Sequence, residues 1–271
     1  CMERYLIALD LDGTTLNTEG QLSAGTIAVL RAAQAAGHLV VITTGRPDAI
    51  SEQFYDTLHL QGPMINFNGA LIHVPHQHWQ YEKEVTIPIS VALSLRQLSQ
   101  RFTFKVMVAE GKRLLVADRP YANIPFLPDR LHPDALLDEH GLRQAPISVT
   151  MFMEAKTFEP VSQQVAALYP HLAAKTWGAW SGDYTALEVT SRNTSKSRAL
   201  AYVAQRYGID QAHIIAFGDD MNDLDMLQFA GHGVAMKNAR PAILEAADAQ
   251  TPSDNDHDGM ADYLADYLKL A

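Results

Sequence analysis

The feature that most constrains this chain is a repeated alternation of a short apolar run, a turn rich in Asp, Gly or Thr, and a stretch with helical spacing. Residues 5–9 (YLIAL) stop at Asp10, Leu11, Asp12, Gly13 and Thr14, which reads as a buried strand opening into a polar turn. Ser23 is placed to cap a helix carrying Ile27 and Leu30, and Gly37 ends it before the apolar run 39–42 (LVVI). That run leads into Thr43, Thr44, Gly45 and Arg46, and a second helix is predicted from about Asp48 to Leu60. A strand at 63–67 then meets the turn dipeptide Asn68-Gly69. The tail repeats the pattern: a helix over 195–207, a strand over 213–217, the turn Gly218-Asp219-Asp220, a helix near 222–229, a strand at 233–236, and helices near 240–246 and 258–268. Continuous apolar strands separated by amphipathic helices predict an α/β fold with a parallel sheet covered on both faces.

Between about residues 82 and 187 the pattern changes. Strand-like runs at 103–109, 113–117 and 147–153 alternate with helical stretches at 88–101 and 157–168, which predicts an α+β domain (83–187) inserted into a core made of 1–82 and 188–271. A chain of 271 residues, 47% of them hydrophobic, has material for both. No run approaches the roughly 18 apolar residues of a membrane span, and the chain opens on no long apolar stretch, so the expected location is cytoplasmic. The net charge of −10 disfavours nucleic acid and anionic membranes as partners. The single cysteine, Cys1, leaves the body of the chain without disulfides, thiolate zinc sites or a thiol nucleophile. His73, His76 and His78 share a short polar stretch without a metal-binding helical spacing and read as a solvated loop.

The chemistry must therefore use oxygen and nitrogen groups. Asp10 and Asp12 follow one apolar strand, and a second acidic turn, from Gly218 through Asp219, Asp220, Met221 and Asn222 to Asp223, follows another that is distant in sequence. In an open parallel sheet the C-terminal strand ends form one rim, where ligands bind. Carboxylates of Asp10, Asp12, Asp219 and Asp223 brought together there would repel one another unless a cation sat among them. A set of hard oxygens without imidazole or thiolate favours Mg²⁺ over zinc, and Mg²⁺ commonly recruits a substrate phosphate. Thr44 offers a hydroxyl, Gly45 a close backbone approach, and Lys196 an ammonium at a helix start, all suited to phosphate. Arg46 either assists or pairs with a surface acid.

The four pieces DLDGT, TTGR, TSKSRAL and GDDMND, in this order, resemble the haloacid dehalogenase superfamily of phosphotransferases. The position of the insert, together with INFNGA, ALEVT, GVAMKNA and TPSDNDHDG, is similar to its Cof-type phosphatases. The resemblance implies a Rossmann-like core with an inserted cap that acts as a substrate-selecting lid, and hydrolysis of a small phosphate monoester. It implies Asp10 as nucleophile, passing through an aspartyl phosphate, and Asp12 as general acid and base. Mg²⁺ would be held by Asp10, the Asp12 backbone carbonyl and Asp219, with Asn222 and Asp223 touching phosphate or orienting the metal's ligands. The Leu11 backbone, Thr44, Gly45 and Lys196 would hold the phosphoryl oxygens. Thr15 and Ser197 depart from the usual aliphatic residue and glycine without removing a catalytic group.

Sugar phosphates, pyridoxal phosphate and flavin mononucleotide fit as substrates, and the sequence selects none of them. A phosphomutase or phosphotransferase would use the same aspartates, and a phosphate-binding sensor would need neither nucleophile nor acid. The lack of GxGxxG after the first strand argues against a dinucleotide-dependent dehydrogenase. Asp220 and Asp225 read as solvated charges at a helix start. In the insert, Tyr121, Asn123, Trp177, Trp180, Asp183 and Tyr184 fall in loop-like stretches and read as packing or surface before substrate contacts. Met151, Phe152 and Met153 read as sheet packing.

Overall fold

The computed structural model describes residues 3–181 and 184–270. In chain order the elements are β1 (Leu6–Leu9), α1 (Ala24–Ala35), β2 (Leu39–Ile42), α2 (Glu52–Thr57), β3 (Met64–Asn66), β4 (Leu71–His73) and β5 (Lys83–Glu84). They continue with α3 (Ile89–Leu95), β6 (Val106–Gly111), β7 (Leu114–Ala117), β8 (Ser148–Glu154), α4 (Ala155–Leu168), β9 (Leu172–Ser181) and β10 (Tyr184–Ser191). The last are α5 (Lys196–Tyr207), β11 (Ile214–Gly218), α6 (Leu224–Phe229), β12 (His232–Ala235), α7 (Pro241–Ala246), β13 (Ala249–Gln250) and α8 (Gly259–Leu268). The chain divides into two compact units, one of residues 1–83 and 194–271, the other of residues 84–193.

In the first unit the strands run in the order β13-β12-β11-β1-β2, every pair parallel. All four residues of β1 are fully buried. Successive strand residues face opposite sides of a sheet, so this requires cover on both faces, as continuous apolar strands predict. Helix α1 begins where Ser23 accepts a hydrogen bond from the Thr26 amide at 3.0 Å, a side-chain cap at the expected position. Helix α5 ends on Gly208 with φ at +64°, the left-handed conformation that closes many helices. The pairing register sets the function: Leu9 lies beside both Phe217 and Ile42, so the loops after β1, β2 and β11 leave neighbouring strand ends on one rim.

The second unit is an antiparallel sheet in the order β7-β6-β8-β10-β9. Val149, Met151 and Met153 of β8 join Leu95 of α3 and Val161 and Val165 of α4 in one core. Phe152 points the other way, into a smaller cluster with Val106, Val108 and Tyr121.

Three readings change. The second unit extends to Asn193 instead of ending near 187, because β10 pairs with β8 and β9 as far as Thr190 and Ser191. The stretch holding Trp177, Trp180 and Tyr184 is a strand pair and not loop, which an Ala- and Gly-containing run disguised; the side chains of Trp177 and Trp180, and all of Asp183, lie outside the described residues. His73 is fully buried on β4, its Nε2 2.8 Å from Asn66 Oδ1, whereas His76 and His78 lie in the following turn region.

The five-stranded parallel sheet is the platform for everything at its rim. Leu9→Ala removes a fully buried side chain one residue before Asp10, and is expected to cost about 2–5 kcal/mol in equilibrium urea unfolding. A cost below about 1 kcal/mol would show that β1 is not central to the fold.

Candidate active site

The turn after β1 is wide. Thr15 N donates to Asp10 O at 3.3 Å and Leu16 N to Leu11 O at 2.9 Å, both spanning five residues, a form that recurs at functional sites. The Thr15 hydroxyl also donates to Asp10 O at 2.7 Å. Gly13 is required by two constraints at once: its φ is +74°, and a Cβ there would lie 2.2 Å from Asp219 Oδ2. The turn after β11 closes on it, with the Thr14 hydroxyl donating to Asp219 Oδ1 at 2.9 Å.

Lys196, the first residue of α5, is 1% exposed. Its Nζ donates to Asp10 Oδ1 at 2.9 Å and to Asp223 Oδ1 at 2.6 Å. The other Asp223 oxygen accepts from the backbone amides of Asp219 at 2.9 Å and Asp220 at 3.1 Å. Asp223 is thus spent on holding the lysine and shaping its own turn. Asp225, read from sequence as a solvated charge, accepts from the Ser197 amide at 2.8 Å and so anchors the start of α5 beside Lys196. Asp220 accepts from the Met221 amide at 2.7 Å and pairs with Arg240 at 2.7 Å.

Carboxylate oxygens of Asp10, Asp219 and Asp223 lie within 4.8 Å of one another. Burial, then the neighbouring Asp223, pushes the Asp10 carboxyl well above its usual range, against the pull of Lys196. The same two causes push Asp219 up to about 6. Burial works against charge on Lys196, but Asp10 and Asp223 outweigh it and hold the ammonium above its ordinary value. One ammonium against three carboxylates leaves two negative charges uncompensated. A divalent cation balances that sum, and the hard-oxygen donors fit Mg²⁺.

The Asp12 side chain turns away from this cluster. Its two oxygens accept from Arg46 Nε at 2.7 Å and Nη2 at 2.6 Å, a bidentate pair with the carboxylate about half exposed. Of the two roles left open for Arg46, pairing with an acid is the one seen, and the acid is Asp12. Thr44 is buried, its amide bonded to Ile65 O at 2.9 Å and its hydroxyl accepting from the Arg46 amide at 3.0 Å. Asn222 is exposed and donates through Nδ2 to Asn68 Oδ1 at 3.1 Å. Leu11 is fully buried within the wide turn.

Sequence reasoning gave no role to two asparagines behind the β1 turn. Asn238 Nδ2 donates to Gly13 O at 2.9 Å, and its Oδ1 accepts from the Asn255 amide at 3.1 Å. Asn255 Nδ2 in turn donates to Leu16 O at 3.0 Å. Both stand in segments singled out only as matching the resembled family, GVAMKNA and TPSDNDHDG. Their function is legible only once the backbone carbonyls they reach have a position.

Residues 7–264 match the family described as haloacid dehalogenase-like hydrolase. The chain belongs to that family. A curated relative, the 5-amino-6-(5-phospho-D-ribitylamino)uracil phosphatase YitU of Bacillus subtilis, is 30% identical over 278 residues, spanning 98% of each chain. The pyridoxal phosphate phosphatase YbhA of Escherichia coli is 28% identical, covering 98% of this chain and 100% of its own. Among solved structures, a haloacid dehalogenase-like hydrolase from Bacteroides thetaiotaomicron superposes with a TM-score of 0.84 at 23% identity, over 98% of this chain and 100% of its own. This haloacid dehalogenase-like hydrolase is of the Cof type and is a phosphatase acting on phosphoric monoesters. Among the described residues, no helix is long and apolar enough to cross a membrane.

The electrostatics yield a sign. Asp219 holds its proton more tightly folded than unfolded, so without a divalent ion its contribution to stability falls as pH rises from about 4 through about 6. Mg²⁺ competes with that proton, so the rise in Tm that it gives over EDTA should be larger above about pH 7 than below about pH 5, and Asp219→Asn should shrink it. A gain independent of pH, or unchanged in the variant, would place the ion elsewhere.

Proposed function

We propose that this phosphatase is Mg²⁺-dependent, works through phosphorylation of Asp10, and acts on small phosphorylated metabolites. The observation that carries this reading is the buried Lys196 ammonium held between Asp10 and Asp223, with Asp219 beside them and two negative charges left to balance. Asp10, Asp219 and the Asp12 backbone carbonyl would hold the ion, and Asp223 would orient the set. Bound there, Mg²⁺ supplies neutralising charge to the phosphoryl oxygens and keeps the buried carboxylates ionised.

Lys196 occupies Asp10 Oδ1, which leaves Oδ2 to form the bond to phosphorus while the bond from phosphorus to the ester oxygen breaks. Asp12 gives its proton to the departing alcohol, then takes one from the water that attacks phosphorus and releases Asp10 with inorganic phosphate. For this the Asp12 carboxyl must loosen at least one of its two bonds to Arg46, and its exposure leaves it within reach of a leaving group. Thr44, Gly45, Lys196, Asn222 and the Leu11 amide hold the phosphoryl oxygens in this reading, since phosphoryl transfer is mostly positioning and charge neutralisation.

The names of the two relatives, a pyridoxal phosphate phosphatase and a phosphoribitylaminouracil phosphatase, support a compact monoester: a sugar phosphate, pyridoxal phosphate or flavin mononucleotide. The charged side chains of the site all belong to the first unit, so the second is free to serve as the lid that selects the leaving group. Exchanging residues 84–193 for those of a relative should redraw the substrate profile and leave the Mg²⁺ requirement intact; an unchanged profile would remove that role.

Asp10→Asn should lower turnover of p-nitrophenyl phosphate by about 10³-fold or more with the fold retained by circular dichroism, and EDTA should abolish parent activity until Mg²⁺ is restored. Turnover by the variant near the parent level would remove Asp10 as nucleophile. A screen of phosphorylated metabolites for phosphate release would then rank substrates, and an isomeric ester in place of inorganic phosphate would identify a mutase.

A further inference from the structure

The turn between β3 and β4 is the most strained stretch of backbone near the site. Three consecutive residues have positive φ: Phe67 at 50°, Asn68 at 54° and Gly69 at 102°. Asparagine tolerates that conformation and glycine welcomes it, but for a bulky residue such as Phe67 it is rare. Strain of this kind persists where the surroundings over-determine it, and here they do. Phe67 N donates to Arg46 O at 3.2 Å, Asn68 N to Thr44 O at 3.0 Å, and Asn66 Nδ2 to Arg46 O at 3.0 Å. On the other side, a Cβ on Gly69 would lie 2.3 Å from Ser195 O, the carbonyl just before Lys196. The turn is therefore wedged between the Thr44–Arg46 loop and the start of α5, both already assigned to phosphate.

What the strain presents is the Asn68 carboxamide. A Cβ on Gly45 would meet Asn68 Nδ2 and Oδ1, each at 3.1 Å, so the group lies against the open face of that glycine. A carboxamide has one accepting end and one donating end. Asn222 donates to Oδ1, and among the described residues Nδ2 meets no acceptor. Asn68 is only partly buried, so this donor is open to a ligand.

We propose that Asn68 is a further phosphate-contacting residue, its Nδ2 donating to a phosphoryl oxygen of the bound monoester beside Gly45, with Asn222 holding the carboxamide in that sense. It lies outside the DLDGT, TTGR, TSKSRAL and GDDMND segments, in the INFNGA stretch that carries part of the family resemblance, where Asn68-Gly69 reads from sequence as a turn. The inference rests on the phosphatase reading for the identity of the ligand, but its geometry requires only a tetrahedral oxyanion at Thr44 and Gly45.

Two substitutions separate contact from architecture. Asn68→Gly keeps the left-handed backbone and deletes the carboxamide. Asn68→Asp keeps the shape and the acceptor for Asn222 but loses the N–H donors and adds a negative charge. With the full chain and Mg²⁺, the inhibition constant of inorganic phosphate against p-nitrophenyl phosphate should rise about tenfold in Asn68→Gly and about tenfold or more in Asn68→Asp, with Tm within a few degrees of the parent. If the side chain only braces the turn, Asn68→Asp will inhibit like the parent while Asn68→Gly loses Tm, and the proposal fails. It fails equally if both folded variants stay within about twofold of the parent. Should the parent turn over neither p-nitrophenyl phosphate nor any metabolite screened, the proposed Asp10 mechanism falls, and calorimetric titration of inorganic phosphate into the same three proteins still decides whether Asn68 binds it.

Discussion

The site depends on one ammonium without access to water. Lys196 is buried at the head of α5, and a lone charge so placed would be prohibitively costly. It is tolerated because Asp10 and Asp223 each accept from it, and those carboxylates are tolerated for the same reason. Residues from three distant segments are thereby bound into one electrostatic unit. The unit is also incomplete as a charge sum, and that imbalance, more than any individual distance, is what makes the cluster suited to a divalent ion.

The sheet makes this arrangement geometrically inexpensive. Asp10 and Asp219 are far apart in sequence, yet β1 and β11 pair directly, and each acidic residue immediately follows its strand. Thr44 follows β2 on the opposite flank of β1. No long side chain has to reach across the molecule, because the backbone brings the loops to a common rim before the side chains begin to interact. The remaining precision comes from contacts with little tolerance: the absent Cβ of Gly13 against Asp219, and the asparagine relay from Asn255 through Asn238 to the Gly13 carbonyl.

Much of this was legible in the sequence, for physical reasons. Apolar runs such as 5–9 and 213–217 admit few alternatives to buried parallel strands, and the acidic turns that end them announce a rim. The charges of Asp10, Asp219 and Lys196 needed partners, so their convergence followed from the fold. What escaped was set by neighbours that are remote in sequence. Asp225 is indistinguishable from a surface charge until the Ser197 amide is placed beside it. The β9–β10 pair hid because small residues interrupt its alternation, and His73 reads from sequence as solvated because Asn66, which pairs with its Nε2, lies on the partner strand. The Arg46–Asp12 pair was one of two open choices, and only the observed geometry decided between them.

The pairing of β1 with β11 has a consequence for biogenesis. β1 stands inside the sheet, and one of its two neighbours is not translated until the intervening unit of residues 84–193 has been completed. A growing chain can pair β1 with β2, leaving the opposite edge of β1 unsatisfied until β11 emerges. Asp219 and Asp223 follow β11, so the acidic cluster around Asp10 assembles only after that strand is made, and the apolar edge of β1 stays open to mispairing in the interval.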